Sequence, residues 1–259
     1  MNLSNPSLLS AMAGITDGKF AVRALHGGAG GAILGSFNID RQALSAAHLV
    51  RKRGRLEFCH PLDSLAEQLS HEVKLIRSSH KKENIFLSLR FSESESLHNI
   101  ISELSDRISS NLHFEINAHC RQMEITSVGG GQSLLKRPQE LQKAIDILKA
   151  KGFLISVKAR SPSLACQDFA KRLAGWGVDF FHLDAYTPGK VGPDLEAIRA
   201  AATAEDITII GNNSITDSSL AQQVLSCGAK CFSIARAAMN NPEIIGEIAK
   251  NLRTTRNRF

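Results

Sequence analysis

The run Asn117-Ala118-His119-Cys120-Arg121-Gln122 puts an amide, an imidazole, a thiol and a guanidinium side by side. It follows the short strand-like stretch Phe114-Glu115-Ile116, and Gly129-Gly130-Gly131 comes soon after. A strand end that served packing alone would carry Val, Ile or Leu. Here it carries groups that move protons or orient a polar ring. Glycines without a Cβ can take positive φ and leave backbone N–H groups uncovered, so the triple glycine lets a loop come close to a partner. Two plainer readings stand beside this one. Cys120 could be a buried structural thiol, and His119 could do no more than hydrogen-bond its own loop.

Similar residues end the other strand-like runs. Ala11-Met12-Ala13-Gly14 is small enough for a flat ligand to lie against the backbone. Ser88 and Arg90 end a third run, Lys158 and Arg160 a fifth, and His182-Leu183-Asp184 a sixth. Lys158, between Val157 and Ala159, would be costly to bury without a partner, and Asp184 is the natural carboxylate for it. The last two runs end in Gly211-Asn212-Asn213-Ser214 and Ala235-Arg236-Ala237. Small residues, free N–H groups and one guanidinium at those places suit a phosphate near a helix start.

These residues need elements to hold them, and apolar periodicity supplies a regular series. Strands are expected at Ser7–Gly14, Gly31–Phe37, Ile85–Phe91, His113–Asn117, Phe153–Ala159, Asp179–Leu183, Thr208–Gly211 and Cys231–Ala235. Helices are expected at Asp17–His26, Leu62–Ser79, Glu95–Ile108, Ser133–Lys151, Leu164–Trp176, Asp194–Thr203, Asp217–Ser226 and Pro242–Leu252, with a basic helical elaboration at Asp40–Leu56. Period-2 and period-3.6 patterns distinguish the two kinds. Strict alternation of strand and helix points to parallel strands and right-handed crossovers. We read a single-domain α/β protein, a (β/α)8 TIM barrel, whose active site lies at the C-terminal strand ends. A doubly wound open sheet would show the same alternation.

The chain has 259 residues, about what one such barrel needs. Apolar residues make up 43% and charged residues 22%, values of an ordinary globular domain. No apolar run is long enough to span a bilayer, and the N-terminus lacks a basic region ahead of its apolar stretch, so a cytoplasmic protein is expected. The five cysteines show no CxxC pair, which argues against both zinc and a disulfide framework. The net charge of +6 is concentrated at Arg51-Lys52-Arg53-Gly54-Arg55, Lys81-Lys82 and the tail Arg253, Arg256 and Arg258. Such clusters can meet phosphate backbones or simply face solvent.

Ala11-Met12-Ala13-Gly14-Ile15-Thr16-Asp17, Asn117-x-x-Cys120, Gly129-Gly130-Gly131 before Leu134-Leu135, Val157-Lys158-Ala159-Arg160, Gly211-Asn212 and Ile234-Ala235-Arg236 occur in one order. That order and spacing resemble the tRNA-dihydrouridine synthases, FMN-dependent TIM-barrel enzymes. The resemblance implies that Ala11, Met12 and Ala13 line the flavin ring and that Lys158 offsets negative charge on the reduced flavin. It implies that Asn212, Asn213, Ser214, Ala235 and Arg236 hold the phosphate. Asn117, Cys120 and Lys158 would be the catalytic set: flavin gives hydride to C6 of a uracil ring and the Cys120 thiol protonates C5. NADPH or NADH would be the reductant and tRNA the partner.

The chain departs from that pattern at four places. Ser88 stands where the family usually has Gln, Asp184 where it usually has His, and Ala235 where Gly is frequent. Both Ser88 and Asp184 belong to the flavin-facing set. Only some twenty residues follow the eighth strand, so a C-terminal helical RNA-binding domain is not expected. A flavin barrel acting on a small molecule, in the manner of dihydroorotate dehydrogenase, fits these departures. So does a barrel that binds a phosphate ligand without redox chemistry.

Overall fold

A computed structural model describes residues 5–108, 112–161 and 165–256, the last four as backbone only. The expected start of a helix at Leu164 and the tail residue Arg258 lie outside the described residues. Eight parallel strands run in order: β1 Ser7–Leu9, β2 Gly31–Asn38, β3 Asn84–Arg90, β4 Leu112–Asn117, β5 Ile155–Arg160, β6 Phe180–Asp184, β7 Thr208–Asn212 and β8 Cys231–Ile234. They close into a barrel because β8 pairs back onto β1, with Ser7 opposite Phe232 and Leu9 opposite Ile234. Closure excludes the open sheet. The helices are α1 Gly18–His26, α2 Arg41–Lys52, α3 Leu65–Arg77, α4 Ser96–Arg107, α5 Met123–Ser127, α6 Pro138–Lys149, α7 Cys166–Gly175, α8 Leu195–Ala201, α9 Ser218–Ser226 and α10 Ile244–Arg256.

Alternation along each strand separates two cores. Outward residues such as Leu9, Leu34, Leu87, Phe114, Val157, Phe181 and Ile209 pack under the helices. Inward residues Leu8, Ile33, Phe86, Phe180, Ile210 and Cys231 form an apolar floor inside the barrel. Above that floor the same inward positions turn polar: Ser10, Ser88, Glu115, Ser156, Lys158, His182 and Ser233 are all buried. Barrel interiors usually stack branched apolar side chains in layers. Here the middle layer must satisfy its polar atoms by hydrogen bonds, since burying them bare is expensive.

Three elements differ from the sequence expectation. The helix expected at Ser133–Lys151 is two pieces, a 3-10 turn over Gly131–Lys136 and then α6. Pro138 is the cause: it opens α6 at the first turn, and Arg137 before it sits at φ −126°, ψ 63°, outside the helical region. The first strand ends at Leu9 because the chain folds at once into a turn, with Ile15 and Thr16 N–H both donating to the Met12 carbonyl. The short helix α5 had no sequence signal strong enough to separate it from the loop. The basic segment forms α2, which packs with α5 through Ala46, Ala47, Val50 and Ile125. Arg51, Lys52, Arg53 and Arg55 are exposed there, and Arg53 forms an ion pair with Glu124 on α5.

Candidate active site

The thiol is fixed by its neighbours. Asn117, the last residue of β4, is 7% exposed, and its Oδ1 accepts the backbone N–H groups of His119 at 3.1 Å and Cys120 at 2.9 Å. Its Nδ2 donates to the Ser36 hydroxyl, which meets the Ser88 hydroxyl at 2.9 Å. Ser88 is fully buried and is linked to the mouth through Ser36 and Asn117, and its side chain also bonds the Glu115 carboxylate. On the other side Gln132 N–H donates to the Cys120 carbonyl at 2.8 Å. Gly131, at φ +57°, lies against that carbonyl so closely that a Cβ would overlap it. The Cys120 side chain is half-buried and packs on the cap made by α2 and α5.

A second support comes from the first loop. The Thr16 hydroxyl accepts Met12 N–H at 2.8 Å and donates to the Gly35 carbonyl at 2.9 Å, tying the loop to β2. Ala11, Met12 and Ala13 are left half-buried at the rim. Gly14, at φ +73°, lets the Leu56–Glu57 backbone pass over the loop, for a Cβ would stand 2.6 Å from Glu57 N. That passage brings the Glu57 carboxylate to Arg90, in contacts of 2.9 and 3.3 Å. Arg90 is 1% exposed. Burial works against its charge, but neighbouring groups, the Glu57 carboxylate among them, hold its pKa above the ordinary value.

Inside the mouth, Lys158 is 5% exposed and donates to the Ser10 hydroxyl at 2.7 Å. Burial lowers its pKa against the pull of Glu115 and Asp184. Asp184 was the expected salt-bridge partner of Lys158, yet it bonds elsewhere. Its Oδ2 meets His119 Nε2 at 2.7 Å and Arg160 Nε at 3.1 Å, the latter a charge contact rather than a directed hydrogen bond. The physical reason is position: Arg160 and Asp184 are register partners on β5 and β6, whereas Lys158 lies opposite His182. Burial pushes the Asp184 carboxyl up, but His119, Arg160 and Lys158 outweigh it and hold it below the usual carboxylate range. Arg160 also lies over the Tyr186 ring at 3.7 Å.

Below Lys158 runs a buried chain of hydrogen bonds. Asn212 Nδ2 donates to the Ser233 hydroxyl at 2.7 Å, that hydroxyl meets His182 Nε2 at 2.7 Å, and His182 Nδ1 meets Glu115 Oε2 at 2.6 Å. Burial, followed by the charge of Lys158, pushes the His182 imidazole down to about 4. The ring is neutral at pH 7 and Nδ1–H is the donor to Glu115. Burial raises the Glu115 carboxyl, but contact with His182 and the charge of Lys158 keep it below the usual range. Glu115 thus joins Asp184 as negative charge acting on Lys158, from within the barrel.

At the phosphate-type loops, Asn213 at φ 115° and Ser214 at φ 51° turn the backbone sharply after β7. The Asn213 amide donates to the Ala185 and Gly192 carbonyls at 3.2 Å, and Ser214 is exposed. Ala235 is half-buried and Arg236 exposed. Arg236 and Arg121 both push the Arg160 pKa down, after burial as the first cause, so the three guanidiniums converge on one rim. The side-chain amides of Asn212 and Asn213 donate to protein carbonyls and hydroxyls, and the Ser214 hydroxyl donates to Asn213 Oδ1, which leaves backbone N–H groups and Arg236 to face an anion.

The structure thus brings Asn117, Cys120, Lys158, Asp184 and the first-loop residues to one mouth. Sequence reasoning missed Glu115, Ser10, Ser36 and Glu57. Glu115 was legible: it sits two residues before Asn117, on the same face of a buried strand. His182 stands in the same relation to Asp184. Glu57 was not, because its partner is 33 positions away. Among the described residues no three His, Cys, Asp or Glu gather as a metal set, and no helix is long and apolar enough to cross a membrane.

Fold and mouth together define a (β/α)8 barrel whose polar residues converge at the strand ends. Residues 59–258 match the family described as Dihydrouridine synthase, and the chain belongs to that family. The match starts after the first-loop motif. Two relatives align with almost the whole chain. An uncharacterized protein of Methanocaldococcus jannaschii is 30% identical over 253 residues, 96% of this chain and 95% of that protein. A protein of Rhodobacter capsulatus named "Probable tRNA-dihydrouridine synthase" is 23% identical over 97% of this chain and 73% of its own length.

Proposed function

We propose that this chain is an FMN-dependent oxidoreductase that reduces the C5–C6 double bond of a uracil ring in tRNA, with Cys120 as the proton donor. The observation that carries the reading is the Asn117–Cys120 turn standing beside Lys158, the register partner of Asn117 on β5.

The residues present fit a flavin mononucleotide. Lys158, Arg160, Arg121 and Arg236 outnumber Asp184 at the mouth, so the site carries a surplus of positive charge for a phosphate and an anionic ring edge. Asp184, which would oppose an anion, is already covered by His119 and Arg160. The half-buried Ala11-Met12-Ala13 rim supports a flat ring. FMN, when bound, supplies the hydride that goes to C6 of the uracil.

The chain's own part is to position and to protonate. Asn117 holds the Cys120 backbone so that the thiol can give its proton to C5, on which the C5–H bond forms as the S–H bond breaks. Lys158, whose pKa burial lowers against the pull of Glu115 and Asp184, stands where it can answer negative charge on the ring. The cap of α2 and α5 shields the thiol from bulk water on one side.

The first test is the visible absorbance of the purified protein, in which an oxidised flavin in stoichiometric amount is expected. If FMN soaking leaves no bound flavin, the assignment fails. Anaerobic mixing of the reduced protein with unmodified tRNA then tests the substrate. Reoxidation by tRNA supports the proposal, while reoxidation by a small pyrimidine or enone but not by tRNA replaces it with small-molecule chemistry.

A further inference from the structure

We propose that His119 recognises an imide N–H of the ring bound in the mouth: anchored to Asp184 through Nε2, it presents Nδ1 as a hydrogen-bond acceptor. The inference rests on the reading of the site above, because it assumes that a planar ring enters this mouth.

Three observations carry it. The His119 side chain is 30% exposed although most of the ring is enclosed, and its Nε2 is held at 2.7 Å by a carboxylate that is itself 8% exposed. Among the described residues Nδ1 has no hydrogen-bond partner. The backbone N–H of His119 is bonded to Asn117 Oδ1, so the residue is held at its main chain as well as at Nε2, directly before Cys120.

The tautomer follows from the partner. An ionised carboxylate only accepts, and Asp184 is held ionised by His119, Arg160 and Lys158 against burial. Nε2 must therefore carry the hydrogen. Burial lowers the His119 pKa, with Lys158 and Arg160 adding to it and Asp184 opposing it, so the ring is neutral. A neutral imidazole with hydrogen on Nε2 has a bare lone pair on Nδ1.

The surroundings then select the ligand. The cationic side chains around His119 are donors: Lys158 and Arg160, with Arg121 and Arg236 on the same rim. An acceptor among donors complements an edge that reads carbonyl, N–H, carbonyl. Uracil and the pyrimidine part of a flavin both have that edge. A thymine-like or uracil-like imide is accepted, whereas cytosine, which lacks the N–H at that place, is not.

The test combines nitrogen NMR of the histidine with binding. In the free protein Nδ1 of His119 is expected at the resonance of an unprotonated nitrogen, and it is expected to shift when uridine 5′-monophosphate or FMN is added. The N3-methyl analogue of the recognised ligand should bind about 3- to 10-fold more weakly, the size of one neutral hydrogen bond, and the arm that shows the loss identifies which ring is read. His119→Phe should lose the same factor and His119→Asn, which keeps an acceptor near Nδ1, should recover most of it. A protonated Nδ1 in the free protein, an Nδ1 unmoved by both ligands, or wild-type binding by His119→Phe overturns the proposal. Failure of the flavin reading looks different: the nucleotide would still shift Nδ1 while FMN did not bind at all.

Discussion

Gly131 and the carbonyl of Cys120 are packed so tightly that the glycine cannot gain even a methyl group: a Cβ would overlap the Cys120 oxygen and stand 3.0 Å from the Cys120 Cβ. At φ +57° the position also disfavours any L side chain. Gly131→Ala is expected to cost about 1–3 kcal/mol of stability, from strain added to displacement. Because the displaced group is the thiol's own backbone, turnover should fall by more than the loss of folded protein explains. Thermal unfolding beside single-turnover flavin reoxidation measures both. An alanine variant with wild-type melting and turnover would show that the close approach has no role.

Cys120→Ala removes a half-buried thiol with no hydrogen bond to its sulfur among the described residues. The fold and bound flavin should survive, at a cost of at most about 1 kcal/mol. Turnover should fall by roughly 100-fold or more, the usual loss for a general acid. Cys227→Ala serves as the control, since that thiol is buried at the C-terminal end of α9, where the chain leads into β8. Reoxidation of Cys120→Ala with substrate at the wild-type rate would assign Cys120 a packing role.

Glu57→Gln leaves the Arg90 guanidinium buried at 1% exposure with its two carboxylate contacts weakened. Removing one member of a buried ion pair costs about 3–5 kcal/mol, far more than surface pairs such as Arg53–Glu124. The neutral amide keeps one acceptor, so the low end of that range is expected. Chemical denaturation of the two variants Glu57→Gln and Glu124→Gln side by side tests the contrast, which fails if both lose equally little.

His113 makes acid sensitivity measurable outside the mouth. Burial first, then the charge of Arg77, pushes its imidazole from 6.5 down to about 4. The folded state therefore keeps the ring neutral where the unfolded chain already binds a proton. Its contribution is whole above pH 6.5, is lost as pH falls through that interval, and levels off below about 4. The loss approaches 1.4 kcal/mol per pH unit for one such group. His113→Gln should flatten the stability profile between those limits and leave it unchanged above pH 7. A profile as steep as wild type would assign the acid sensitivity to other groups, His182 first.

The order of strands and helices was readable along the chain because each element is a local pattern. Seven of the strands are within two or three residues of where alternation placed them, and Asp17, Asp40 and Asp217 cap the helices they precede. The strand-end groups Asn117, Cys120, Lys158 and Asp184 were visible for the same reason: a polar residue closing an apolar run stands out. What sequence periodicity could not hold is pairing across the barrel. Nothing local tells Asp184 to choose His119 and Arg160 over Lys158, or Glu57 to cross the first loop and meet Arg90. Nor does it tell Glu115 to balance Lys158 from the neighbouring strand. Register and barrel closure decide those contacts, since they set which inward side chains share a layer, and in a buried layer each charge must find its partner among the few groups that layer contains.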